Sequence, residues 1–205
     1  MDFFLTYIDK GGIIFSFLFF LSIITLAIVI YKYLEIYFFK SLDFDKLIEI
    51  INEANQKITL KEVEENFISL VPRSSRNLLK QILNLLNENK PKQEIEEEIN
   101  SIVDIEFNKQ QSLLPSLEII SQVSPLIGLL GTVIGMIDSF NELELGGSLV
   151  DPSILAGGIW TALLTTAMGL IVAIPALVSH YFLEKKINKH SLNIDLLFRK
   201  LIAIQ

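Results

Sequence analysis

The sequence contains no cysteine, and this absence excludes several kinds of chemistry at once. Without thiols the chain can form no disulfide, no thiolate metal site and no cysteine nucleophile. No glycine precedes a lysine, so the phosphate-binding loop GxxxxGK(S/T) is also absent. The two histidines, His180 and His190, have no second ligand at a metal-like spacing. We therefore expect no metal, no other cofactor and no enzymatic activity, since no nucleophile–base constellation is present either.

Charged residues are missing from three long windows. Residues 11–31, 119–137 and 152–183 contain no Asp, Glu, Lys or Arg, so all 17 basic and 24 acidic residues lie elsewhere. A hydrocarbon layer about 30 Å thick needs about 20 apolar helical residues per crossing, and each window is long enough. The mean hydropathy of +0.48 agrees. We therefore expect a membrane protein with three spans, embedded in a lipid bilayer, and the net charge of −7 argues against nucleic acid as a partner.

The positive charges indicate the orientation of the spans. Sixteen of the 17 Lys and Arg lie in residues 32–109 or after residue 183, two segments that three spans place on the same side. The positive-inside rule makes that side cytoplasmic. The predicted segments are an outer N-terminus (1–10), span one (11–31), a cytoplasmic helical domain (32–112), span two (113–140), an outer loop (141–152), span three (153–183) and a cytoplasmic C-terminal helix (184–205).

The long cytoplasmic segment is predicted to be helical because residues 32–118 contain no glycine for tight turns. Apolar spacing predicts a helix at 47–54, Thr59 with Glu62 forms a capping box for a second, and Ser74 can cap a third. A last helix follows Pro91, and we expect it to run without a break into span two. The tail at 184–205 either prolongs span three and packs against that helix, or lies flat on the membrane surface.

Spans two and three differ from span one in their small residues. Span one is rich in Phe, Ile and Leu, which suits a lipid-facing position. In lipid, helices associate by close backbone approach at small residues, so spans two and three are expected to pack tightly on each other or on other copies. The predicted packing residues are Gly128, Gly131, Gly135, Gly158, Ala162, Gly169 and Ala173.

Polar groups at membrane depth are few, and none of them is charged. Two prolines, Pro125 and Pro175, interrupt otherwise helical sequence and act either as hinges or as fixed kinks. The main polar side chains are threonines, which can orient an ion but cannot hold a proton near neutral pH. If the protein moves protons, the titratable carrier must come from a partner helix. The candidate lumen residues are Thr132, Thr161, Thr165 and Thr166.

Two segments closely resemble the signature segments of the MotA/TolQ/ExbB proton-channel family. They are SPLIGLLGTVIGM at 124–136 and GIWTALLTTAMGLIVAIPA at 158–176. The three-span plan and the short outer N-terminus are similar to the ExbB/TolQ branch. The flagellar branch, which has four spans and a larger cytoplasmic region, fits poorly.

This resemblance implies an all-α membrane protein in which spans two and three extend into a cytoplasmic helical bundle. It implies a homopentamer in a bacterial inner membrane, enclosing helices of an ExbD- or TolR-like single-span partner that carries the proton-binding aspartate. Proton flow would then drive a TonB- or TolA-like protein that spans the periplasm.

The resemblance also implies roles for individual residues. Thr132 and Thr166 match the lumen threonines of the family, and Pro125 and Pro175 match its common prolines. Relatives commonly have a glutamate where this chain has Thr161, which leaves the partner's aspartate as the expected carrier. Asp138 is a candidate acid at the outer mouth.

Three readings stay open at this point. The first is a motor subunit for transport across the outer membrane, coupled to protons or to Na⁺. The second is a TolQ-like role in outer-membrane integrity and division. The third is a membrane scaffold that conducts no ions.

Overall fold

The computed structural model describes residues 2–38, 80–82, 84–85, 90–146 and 152–204. Every regular element in these residues is an α-helix: α1 (Asp2–Phe38), α2 (Lys92–Gln111), α3 (Leu114–Gly146) and α4 (Pro152–Ile204), besides the short helical stretches at 80–85. Three stretches are long and apolar enough to cross a membrane, Gly12–Ile36, Lys92–Leu145 and Leu155–Leu196. The part of the chain that the structure describes is therefore helical, and the chain is a multi-pass membrane protein, as the charge-free windows predicted.

Several helices predicted for the cytoplasmic segment lie outside the described residues. These are the pattern at 47–54, the capping box of Thr59 and Glu62, and the cap at Ser74. Residues 80–82 and 84–85 belong to the helix predicted after Ser74 and are helical, with Ile82 fully buried.

The chain divides into two compact units. The first, called here the membrane unit, comprises Met1–Lys32 and Leu113–Phe182 and contains the apolar parts of α1, α3 and α4. The second, called the polar unit, comprises Tyr33–Ser112 and Leu183–Gln205 and contains α2 and the C-terminal part of α4.

The core of the membrane unit is built by α1 and α4, with α3 packed against it. Phe15 and Leu18 of α1 and Met168 and Val172 of α4 form a buried cluster, and Ile127 of α3 packs on it. Apolar residues on the other faces of α3 and α4 are exposed in this chain. They include Leu126, Leu129, Leu130, Val133, Ile137, Leu163, Leu170, Ile171, Ile174 and Leu177.

In the polar unit, α2 and the end of α4 lie side by side. Ile99 of α2 and Ile187 of α4 are buried, and a small cleft has walls from both helices. The residues that line it are Val103, Glu106, Phe107, Gln110, Ser191 and Ile194. Helix α4 is continuous from Pro152 to Ile204, so the tail does prolong the helix of span three and lies beside α2.

The prediction of an unbroken helix from Pro91 into span two is wrong. Helix α2 ends at Gln111, and Leu113 has a left-handed φ of 70°. The Leu113 carbonyl accepts the N–H of Leu117 and so begins α3. Pro115 explains the break, because proline has no N–H to donate to the carbonyl of Gln111, and its ring would clash with that carbonyl.

Helix boundaries differ from the predicted segments in two further places. Helix α3 continues to Gly146, through residues that we assigned to the outer loop. Helix α1 begins at Asp2, but Gly12 breaks it with φ 63° and ψ −162°. The N-terminal residues therefore form a helical segment of their own, separated by this glycine from the apolar helix that follows.

The substitution Gly12→Ala tests this break. No atom lies within 4 Å of a Cβ built on Gly12, so any cost comes from its backbone conformation, which is essentially restricted to glycine. We expect Gly12→Ala to lower the free energy of unfolding by about 1–3 kcal/mol. Gly157, in α4, has equally open surroundings without the unusual φ. Gly157→Ala should therefore leave stability unchanged or raise it by up to about 1 kcal/mol. Thermal unfolding in detergent compares the two variants, and equal melting temperatures would contradict the prediction.

The polar unit should show a pH dependence from His190. Burial lowers the pKa of His190 below its ordinary value of 6.5. Just below pH 6.5 the unfolded chain therefore binds a proton that the folded chain does not, so stability falls as the pH drops through 6.5. It levels off once the pH is below the folded pKa. The free energy of unfolding is measured between about pH 8 and about pH 5. It should depend less on pH in His190→Gln than in the unaltered protein. An identical pH profile would show that His190 is not responsible.

Candidate functional site

The contact between α3 and α4 is set by glycines that let the two backbones touch. A Cβ built on Gly169 of α4 would lie 2.6 Å from the carbonyl oxygen of Ser124 and 3.2 Å from Gly128 Cα, both in α3. A Cβ built on Gly128 would lie 2.9 Å from the carbonyl oxygen of Thr165 and 3.0 Å from Thr166 Cα. These are backbone atoms, which cannot turn aside as a flexible side chain can.

The same contact continues toward the C-terminal end of α3 and the N-terminal end of α4. A Cβ on Gly135 would lie 3.1 Å from Ala162 Cβ, and one on Gly158 would overlap the hydroxyl of Ser139. Later residues of α3 therefore contact earlier residues of α4, so the two helices are antiparallel. Six of the predicted packing residues lie directly in this interface: Gly128, Gly131, Gly135, Gly158, Ala162 and Gly169.

Two hydroxyls of α4 converge on one carbonyl of α3. Thr165 Oγ1 donates to the carbonyl oxygen of Gly128 at 3.2 Å, and Thr166 Oγ1 donates to the same oxygen at 3.1 Å. Thr165 Oγ1 also lies 2.7 Å from the carbonyl oxygen of Ala162 in its own helix. These two hydrogen bonds to Gly128 join α3 to α4.

The four threonines predicted to line a lumen have different environments. Thr165 is only 4% exposed and lies between α3 and α4, where its side chain contacts Gly131. Thr132, Thr161 and Thr166 are half-buried. Thr132 donates to the carbonyl of Leu129 at 2.6 Å, and Thr161 donates to that of Gly158 at 2.8 Å.

Thr132 lines a groove on the C-terminal half of α3. The groove is lined by Thr132, Val133, Met136, Ile137, Phe140 and Asn141. Asp138 is exposed in the C-terminal half of the same helix. The structure thus brings Thr165 and Thr166 together at Gly128 and leaves Thr132, Thr161 and Asp138 as separate positions.

Both prolines lie inside continuous helices. Pro125 is half-buried in α3 and Pro175 is exposed on α4. Each leaves the carbonyl four residues earlier without its usual N–H donor. Ala173, which we predicted to pack, is 6% exposed.

The Gly128 carbonyl is the group that sequence reasoning missed. It has no side chain to mark it, and a backbone acceptor carries no residue signature. The signal that could have pointed to it is the adjacent pair Thr165-Thr166, placed opposite a glycine in an antiparallel pair of small-residue helices.

Two features define the class of protein. Apolar helices form one unit, and hydroxyls lie within sequence windows that contain no Asp, Glu, Lys or Arg. Such helices carry groups that can orient an ion, which is typical of a channel or transporter component.

Comparison with known proteins identifies the family. Residues 71–195, more than half of the chain, match the MotA/TolQ/ExbB proton channel family. The chain belongs to this family, and its relatives place it in the ExbB/TolQ branch.

Three relatives illustrate the similarity. The biopolymer transport protein exbB1 of Vibrio cholerae is 39% identical over 79 residues, 38% of this chain and 33% of that protein. A putative ExbB homolog of Methanothermobacter thermautotrophicus is 34% identical over 104 residues, 51% of this chain and 36% of that protein. The Tol-Pal system protein TolQ of Haemophilus influenzae is 36% identical over 90 residues, 44% of this chain and 39% of that protein. The chain therefore spans about a third of the length of the relatives it matches.

Gly169→Ala tests the closeness of the α3–α4 contact. The added methyl would meet the backbone carbonyl of Ser124, so the helices must separate, and we expect a loss of about 1–3 kcal/mol in unfolding free energy. Gly157→Ala is the matched control, since the same methyl meets nothing within 4 Å there. Unfolding by a denaturing detergent measures both. A Gly169→Ala protein as stable as the control would show that the helices are not in backbone contact.

Proposed function

We propose that this chain is the ion-conducting subunit of an inner-membrane motor that couples proton-motive force to work across the outer membrane. The observation that carries the proposal is that residues 119–137 and 152–183 offer several hydroxyls and no Asp, Glu, Lys or Arg, and that their single histidine, His180, lies close to the end of the second window. A hydroxyl can donate a hydrogen bond to a carboxylate but cannot carry a proton near neutral pH. The chain therefore supplies half of a proton site, and a partner supplies the other half.

The partner is proposed to be an ExbD- or TolR-like protein with one membrane helix and an aspartate in it. A carboxylate in hydrocarbon is costly unless it is protonated or hydrogen-bonded, so its passage requires donors at the right depth. Thr132 and Thr166 are proposed to be those donors, with Thr161 as a further polar contact. Thr165, the fourth candidate, is buried in the interface with α3.

The assembly is proposed to be a homopentamer around the partner helices. Support comes from the apolar faces that this chain leaves uncovered on α3 and α4, which a second copy or lipid must cover. Leu126 is 63% exposed and Ile174 is 59% exposed. The cytoplasmic bundle would then be formed by α2 and the end of α4 from each copy.

The proposed topology follows the positive charges. Residues 1–10 and 141–152 lie in the periplasm, and 32–112 and 184–205 lie in the cytoplasm, because 16 of the 17 basic residues are in the latter segments. The moving partner would pass force to a TonB- or TolA-like protein. Relatives named for biopolymer transport and for the Tol-Pal system both match, so we place the chain in transport across the outer membrane and keep a TolQ-like role as the second candidate.

The proposal is tested by proton flux through the complex purified with its single-span partner and placed in proteoliposomes under a pH gradient. Thr166→Val should reduce the flux to background, because the isosteric valine has no hydroxyl to offer the carboxylate. Membrane insertion and oligomer size should not change. Exchange of the partner's membrane aspartate for asparagine should have the same effect.

The control is Thr25→Val in α1. Thr25 is buried, and its hydroxyl donates to the carbonyl oxygen of Leu21 in the same helix at 2.8 Å. This variant should conduct normally. Normal flux in Thr166→Val would remove the hydroxyl from the mechanism, and a complex that never conducts would favour the scaffold reading. Repeating the measurement with and without Na⁺ identifies the coupled ion.

A further inference from the structure

Two threonine hydroxyls of the membrane unit share a single acceptor. Thr165 Oγ1 lies 3.2 Å and Thr166 Oγ1 lies 3.1 Å from the carbonyl oxygen of Gly128. A carbonyl oxygen has two lone pairs, and in a helix the N–H four residues later, that of Thr132, takes one of them. The two hydroxyls therefore compete for the lone pair that remains.

Thr165 has a second acceptor within reach. Its Oγ1 lies 2.7 Å from the carbonyl oxygen of Ala162, one turn earlier in α4. A hydroxyl has one proton, so Thr165 donates either to Ala162 or to Gly128 at any moment. Because the oxygen is already within bonding distance of both carbonyls, only the hydrogen has to move between them.

The two side chains differ in how freely they can leave this position. Thr165 is 4% exposed, and a Cβ built on Gly131 would lie 2.7 Å from Thr165 Cβ, so Thr165 fills the space above that glycine. Thr166 is half-buried. Thr166 is therefore the hydroxyl that can turn to a third helix, and Thr165 is the one held between α3 and α4.

We propose that Thr165 is a positioning residue that releases the hydroxyl of Thr166 for ion transfer. This inference rests on the proposed function. When the carboxylate of the partner helix reaches Thr166, the Thr166 hydroxyl donates to it. The Thr165 hydroxyl then rotates, so that it donates to the carbonyl of Gly128 instead of that of Ala162.

The exchange costs little because no donor loses its acceptor. The hydrogen bond between α3 and α4 persists, and the carbonyl of Ala162 keeps the backbone N–H of Thr166 as its helical donor. No covalent bond to hydrogen is broken in the exchange. The helices therefore stay in contact at Gly128 while Thr166 is engaged elsewhere.

The sharing of the acceptor is tested on the full chain alone in detergent by a double-mutant cycle of Thr165→Val and Thr166→Val. In each single variant the remaining hydroxyl can occupy Gly128, so the folding equilibrium constant should change by less than about twofold. The double variant loses both donors and should lower that constant by about threefold to tenfold. Additive effects would show two independent hydrogen bonds and would overturn the sharing.

The positioning role is tested by proton flux per assembled complex in proteoliposomes. Thr165→Val should lower the flux about tenfold, because Thr166 must then stay at Gly128 to hold the helices together. Thr165→Ser restores a hydroxyl at the same place and should restore the flux. Thr25→Val, a buried threonine bonded within α1, should leave the flux unchanged.

The outcomes separate this inference from the proposed function. If Thr165→Val lowers only the amount of complex and not the flux per complex, Thr165 is merely structural and the inference is wrong. If Thr166→Val blocks the flux while Thr165→Val conducts normally, the inference also fails, but the proposed function stands. If both variants conduct normally, the proposed role of the hydroxyls itself is wrong.

Discussion

The backbone contact between α3 and α4 is the interaction on which the rest of the membrane unit depends. Lipid tails are as apolar as leucine, so little hydrophobic drive joins two helices inside a bilayer, and close packing with hydrogen bonds must do so. Gly128 and Gly169 provide that closeness, since a methyl group on either would meet backbone atoms of the other helix. The same closeness brings two hydroxyls of α4 within bonding distance of the Gly128 carbonyl.

This contact also determines what kind of chemistry the membrane unit can support. Hydroxyls and a backbone carbonyl can orient a proton carrier, but none of them titrates near neutral pH. Under the proposed function, a proton pathway through this chain therefore depends on a carboxylate from another chain. The hydroxyls lower the free-energy cost of that carboxylate in the bilayer only if they are free to donate hydrogen bonds to it. The competition for the Gly128 carbonyl therefore bears directly on the proposed function.

Much of the fold could be predicted from residue patterns. The three charge-free windows are present as helical, apolar stretches, and the membership in the MotA/TolQ/ExbB family that the segments at 124–136 and 158–176 suggested is confirmed. Two backbone features were not predicted. Leu113 has a left-handed φ, which sequence patterns predict mainly for glycine, although the nearby Pro115 indicates where α2 and α3 are separated. Gly12 interrupts α1, and the apolar sequence that follows it does not predict the φ that this glycine adopts.

The sequence by itself determined which helices cross the membrane and which pair of them carries small residues, because hydropathy and residue size are local properties. Only the tertiary structure decided which threonine does what. Thr165 and Thr166 are neighbours of the same residue type, yet one is enclosed between α3 and α4 and the other is half-exposed. The rotation of α4 against α3 sets that difference, and the acceptor they share is a main-chain oxygen, which every residue has and no sequence pattern distinguishes.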